Sequence, residues 1–126
     1  MNYEYDVNYT PPAPTLGLYL SVPERDTTLG PLSGIIDTGA DGTLIPTVYL
    51  KELRASPIDD AWVRGQWDEW RSVLMYMVDV RVGTTTVPGL HVVGDVRGDE
   101  IVLGRNYLNR LRLLLNGPAA ITQLLD

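Results

Sequence analysis

Twelve glycines and nine prolines cut this 126-residue chain into short runs. Glycine frees the backbone and proline fixes it while removing a donor, so both punctuate regular structure. The runs between them have strand character. Thr15 to Val22, Leu29 to Asp37 and Thr85 to Val93 are predicted strands, and Ile101 to Leu103 is a short buried one. Arg112 to Leu115 and Ile121 to Leu125 form a further pair around a turn at Asn116, Gly117 and Pro118. The longest β segment, Trp62 to Val82, has apolar ends and a polar middle, Gly65 to Arg71. It predicts a hairpin with its tip near Trp67 to Trp70. Residues 1–14 read as an alternating strand, Tyr3 to Tyr9, followed by a stiff arm with Pro11, Pro12 and Pro14. Two short helices fit the remainder. One starts at Pro46 and uses Tyr49, Leu50 and Leu53. The other is capped by Asn106 and runs to Leu111. The pattern predicts one all-β domain over residues 1–126, closed or sandwiched.

Several function classes drop out on composition. The absence of cysteine removes disulfides, thiol nucleophiles and thiolate metal sites. His91 is the single histidine, too few for a multi-histidine zinc site, and no serine sits in a Gly-x-Ser-x-Gly turn to use it. Asp37, Gly39, Asp41 and Gly42 superficially suggest a calcium loop, but Val48 stands where that loop needs an acid. No metal or other cofactor is expected. A net charge of −6 with scattered basic residues argues against nucleic acid as a partner. No apolar run reaches the roughly 18–20 residues that span a bilayer, and residues 1–6 do not resemble a secretory leader. No membrane partner and a cytoplasmic location are the expectations.

The chemistry concentrates in Ile35 to Pro46, IIDTGADGTLIP. A carboxylate ends an apolar strand, a position expected to be part-buried and tuned by its neighbours. Gly39 lets the backbone pass close enough to offer an N–H to Asp37. Thr38 supplies a hydroxyl that can lock a neighbouring loop. Ile101 to Leu108, IVLGRNYL, lies late in the chain.

Together the two segments resemble the signature of the retropepsins, the retroviral and retroviral-like aspartic proteases. The first resembles their active-site turn, and the second their closing apolar-apolar-Gly-Arg-Asn/Asp-x-Leu segment. The resemblance implies a closed barrel-like acid-protease fold that forms half of a two-fold homodimer. It implies that Asp37 is catalytic, that Thr38 clasps the partner's equivalent loop, and that Gly39 and Ala40 shape the turn. It also implies an ion pair between Asp41 and Arg105, and an active-site loop threaded over Gly104. The hairpin around Gly65, Trp67, Asp68, Glu69 and Trp70 resembles the flap over substrate. The loop Asp95 to Glu100, with Val96, stands where the family has a substrate wall. The flap departs from the family in being bulky rather than glycine-rich.

Hydrolysis by this chemistry needs two facing carboxylates that share a proton, one to activate water and one to polarise the scissile carbonyl. One Asp-Thr-Gly per chain means that the second comes from another copy, in an isologous dimer. The expected activity is an aspartic endopeptidase acting on protein or peptide. The alternative is a catalytically silent peptide-binding dimer of the same fold.

Overall fold

The computed structural model describes residues 1–23, 25–65 and 67–126. Its elements are β1 (Asn2–Glu4), β2 (Thr15–Ser21), β3 (Thr28–Ile36), β4 (Thr43–Pro46), α1 (Thr47–Glu52), β5 (Asp59–Arg64), β6 (Trp70–Val82), β7 (Thr85–Asp95), β8 (Ile101–Leu103), α2 (Arg105–Leu108), β9 (Arg112–Asn116) and β10 (Ile121–Leu125).

Strict alternation along β2 explains why it is central. Leu16, Leu18 and Leu20 are fully buried, and Gly17, Tyr19 and Ser21 between them are half-buried. Burying each such leucine contributes about 1.5–3 kcal/mol. Val78, Val80 and Val82 of β6 and Val87, Leu90 and Val92 of β7 supply much of the same core. The main sheet runs β2-β3-β8-β4-β7-β6-β5, and β2 also pairs with β6 through Tyr19↔Arg81, Leu20↔Val80 and Ser21↔Asp79. That pairing closes six strands into a barrel and leaves β5 outside it. A closed barrel has no free edges of its own. The one edge strand left, β5, holds only β6, from Asp59↔Met75 to Arg64↔Trp70.

The second sheet, β1-β10-β9, is antiparallel and built from both chain ends. Tyr3↔Thr122 and Thr122↔Leu115 bury the Thr122 side chain. The expected strand over Tyr3 to Tyr9 stops at Glu4. Beyond it the chain forms only an isolated bridge, Asp6↔Ala13, because the intervening residues loop out as the proline-rich arm.

Two other boundaries differ from expectation. β4 lies between the Asp37 turn and the helix expected to start at Pro46, where the sequence predicts no element. Its four residues are too few to show a period of two, and its pairing with β7 and β8 is long-range. Asn106 does not cap α2. Gly104 holds the N-cap position and Asn106 lies inside the helix, with its side chain engaged elsewhere.

Candidate active site

β3 ends at Ile36, directly opposite Leu103 of β8 in a parallel register. The Asp37 N–H continues that ladder by donating to the Leu103 carbonyl at 3.0 Å. Asp37 is thereby fixed at the end of a barrel strand. The chain then turns at once, with the Ala40 N–H donating to the Asp37 carbonyl at 3.2 Å. The Gly39 N–H donates to Asp37 Oδ1 at 2.9 Å, as the sequence suggested. In this subunit Asp37 is exposed rather than part-buried, because the strand end projects it past the core.

The turn is bolted to α2 by backbone bonds. The Arg105 N–H donates to the Ala40 carbonyl at 2.8 Å, and the Asn106 N–H to the Asp41 carbonyl at 3.2 Å. Gly104 allows this approach: a Cβ there would run into the Gly42 carbonyl and stand 3.0 Å from the Ala40 oxygen. Both obstacles are backbone, so neither can step aside, and the expected threading over Gly104 is seen.

The expected Asp41–Arg105 ion pair is not formed among the described residues. Arg105 Nη1 instead donates to the Thr38 carbonyl at 2.8 Å. The guanidinium spends its directional bond on the turn's backbone, and Asp41 ties to α2 through its carbonyl while remaining exposed. Thr38 is also exposed, with its hydroxyl on the subunit surface.

Thr43 and Asn106 form a second tie that sequence reading overlooked. The buried Thr43 hydroxyl donates to Asn106 Oδ1 at 2.7 Å and accepts the Gly104 N–H at 3.1 Å. Asn106 Nδ2 donates to the His91 carbonyl at 2.9 Å. His91 therefore serves the site through its backbone while its side chain faces outward. The available signal was a threonine opening an otherwise apolar strand, TLIP, where a hydroxyl needs a partner.

The hairpin forms as β5 and β6, but β5 begins at Asp59 rather than Trp62, because Asp59 and Asp60 pair with Met75 and Leu74, and Trp70 opens β6 rather than lying in the tip. Local bonds hold the tip: Gly65 N–H to the Glu69 carbonyl, Asp68 N–H to the Gly65 carbonyl, and Trp67 N–H to Glu69 Oε2. An exposed ion pair, Arg64–Asp68 at 3.3 Å, adds little. Trp67 is 83% exposed and Trp70 61%. Gly65, Trp67, Asp68, Glu69 and Trp70 line no described cavity. Val96 does. It borders, with Leu44, Arg71, Val73, Tyr76 and Asp95, a cavity of about 170 Å³ under the hairpin. In the wall loop, Asp95 Oδ1 accepts the N–H groups of Arg97 and Gly98. The N-terminal arm reaches the same loop. Burial of Tyr9, then the facing carboxylate of Glu100 and those of Asp6 and Asp99, push its phenol up to about 12.

A retropepsin-like aspartic protease from Rickettsia conorii superposes on this chain with a TM-score of 0.67. The match covers 98% of this chain and 88% of that one at 12% identity. The fold is retropepsin-like. A foamy viral protease-reverse transcriptase, solved in complex with an RNA/DNA hybrid, is 25% identical with a TM-score of 0.52. That match covers 90% of this chain but only 13% of the viral protein. No family model matches the sequence, and no curated protein matches it either. The retropepsin-like fold was therefore legible from two short motifs while the rest of the sequence has diverged. Among the described residues no helix is long and apolar enough to cross a membrane, and no cluster of acidic or imidazole side chains suits a metal.

Proposed function

We propose that this chain is an aspartic endopeptidase that works as a two-fold homodimer, with Asp37 of each subunit supplying one carboxylate of the pair. The observation that carries the proposal is the Asp37 turn itself. One carboxylate oxygen is pinned by the Gly39 N–H, the side chain is exposed at the subunit surface, and the turn is locked to α2 from behind. Such a carboxylate is held in place yet open to a second copy and to water. Two like charges about 3 Å apart share one proton, so one acts as base on water and the other as acid toward the carbonyl.

A route to the dimer is available in the terminal sheet. β1 is bonded to β10, so the two chain ends are already paired within the subunit. Of that sheet's two edges, β1 and β9, the β9 edge carries Leu114 and Leu115, each 46% exposed. An edge of this kind takes another strand. A protein or peptide substrate would lie between the Asp37 turns and the hairpins. A cytoplasmic site of action belongs to the same proposal.

The test combines light scattering with hydrolysis of a fluorogenic peptide library between about pH 4 and 7, with and without pepstatin. A dimer with pepstatin-sensitive cleavage is expected. Asp37→Asn should lower the rate at least about 100-fold while the dimer persists. A monomer that cleaves peptide, or full activity in Asp37→Asn, would sink the mechanism.

A further inference from the structure

The cavity under the hairpin has a chemistry that general protease architecture does not dictate. β7 accompanies β6 only as far as Met75↔Val93, so the first residues of β6, Trp70 to Leu74, pair with β5 alone and present an open edge to the cavity. Leu44, Val73 and Val93 give it aliphatic walls. Tyr76 lies flat against Gly94, where a Cβ would stand 2.6 Å from the ring, so the missing side chain sets the shape of that wall. Leu44 is paired with Val102, the residue before Leu103, and Leu103 receives the Asp37 N–H. The cavity is therefore one strand away from the candidate catalytic turn.

Two charged residues line this apolar space, Arg71 and Asp95, and they come from different elements. Arg71 is half-buried. It sits across from Val63 on a hairpin face that also carries Ala61 and Val73, and no described carboxylate lies within 4.0 Å of it. Asp95 Oδ1 is taken up by two backbone N–H groups of its own loop, and Oδ2 lies against Gly98 with no hydrogen bond among the described residues. The cavity thus offers a donor fork and an acceptor with no net charge. A glutamate side chain would meet the Asp95 carboxylate, and a lysine or arginine would meet Arg71. A leucine would leave both polar groups without a partner. A primary amide satisfies both, its oxygen accepting from Arg71 and its NH₂ donating to Asp95. The aliphatic stem of glutamine suits the walls.

We infer that this cavity is the specificity pocket of the enzyme proposed above and that it selects a glutamine side chain in the substrate, with Arg71 as the residue that reads the amide. The inference rests on the peptidase reading for its biological use, but the pocket can be tested without catalysis. The library is screened for binding to Asp37→Asn and for cleavage by the wild type, and the position whose side chain most affects either is selected. Peptides differing only by Gln, Glu, Leu or Lys at the selected position are then compared by kcat/KM, and by binding to Asp37→Asn. Gln should exceed Leu by about tenfold in both measurements, the size of one charge-assisted hydrogen bond. Arg71→Leu should reverse the order, with Leu preferred. Arg71→Lys, which keeps the cation but loses the fork, should fall between. If nothing is cleaved but Asp37→Asn still binds Gln peptides best, and the added Arg71→Leu abolishes that preference, the pocket stands and the hydrolysis reading falls. Equal binding of all four peptides, or a Gln preference that survives in Arg71→Lys and Arg71→Leu alike, would overturn the inference.

Discussion

The Asp37 turn and the β5–β6 hairpin tip are both loops that end strands, yet they are held in opposite ways. Bonds across more than sixty residues of sequence secure the turn, from Thr38 to Arg105 and from Thr43 to Asn106 and Gly104. Among the described residues the tip is secured by bonds between Gly65, Trp67, Asp68 and Glu69 and by an exposed i,i+4 ion pair. The turn therefore shares the stability of the barrel, while the tip can open locally without disturbing it. Under the proposed peptidase reading, a site that holds a carboxylate still and also admits a peptide needs both kinds of loop.

The comparison breaks most sharply at Gly104. Gly104→Ala puts a methyl group against the Gly42 and Ala40 carbonyls, which cannot yield without moving the turn or α2. A loss of about 3 kcal/mol or more is expected, read as a large fall in the denaturant midpoint or as failure to fold. A midpoint near that of the wild type would mean that the turn is not threaded as described. Thr43→Val keeps the shape but strands the Gly104 N–H in a buried site and leaves Asn106 Oδ1 without this partner in a part-buried one. About 1–3 kcal/mol should be lost in urea unfolding, and no loss would show that water replaces the hydroxyl.

Arg105→Ala tests the corrected pairing. A buried ion pair would make this a severe change, but the guanidinium is exposed and bonds a carbonyl. About 1 kcal/mol is expected, and Asp41→Ala should not mimic it. Equal effects of the two variants would restore the ion pair. At the hairpin, Arg64→Ala and Trp67→Ala should change stability by no more than about 0.5 kcal/mol. Any effect they have belongs in substrate affinity, and a clear drop in melting temperature would show that the tip is anchored after all.

The smallest effect concerns Tyr107, which is fully buried with its hydroxyl unpartnered among the described residues. Burial first, and then the nearby Tyr3, raise its pKa above the ordinary 10.0. The unfolded phenol thus loses its proton at lower pH than the folded one, and stability should decline as pH rises above about 10. Tyr107→Phe should be near neutral at pH 7 and should flatten that alkaline decline in a pH-dependent melt. An unchanged decline would place its origin in another group.

Sequence alone determined what depends on local covalent character. The alternation in Leu16, Leu18 and Leu20 specifies a strand with one core face, and the breakers around it specify short elements. The Asp-Thr-Gly turn places Gly39 where its N–H meets the Asp37 carboxylate, since only Thr38 separates them. Gly104 was legible only through the resemblance carried by IVLGRNYL, and the structure supplies the reason, a backbone approach that tolerates no Cβ. Tertiary structure alone decided what depends on residues far apart in the chain. β4 gains its identity from β7 and β8, and Asn106 exchanges a capping role for Thr43 and His91. Arg105 takes the Thr38 carbonyl in place of Asp41, and Arg71 and Asp95 line one cavity that no run of sequence announces. The physical reason is common to all of these. A side chain's hydrogen bonds go to whichever groups barrel closure brings within about 3 Å, and closure is a property of the pairing of β2 with β6, which no single segment encodes.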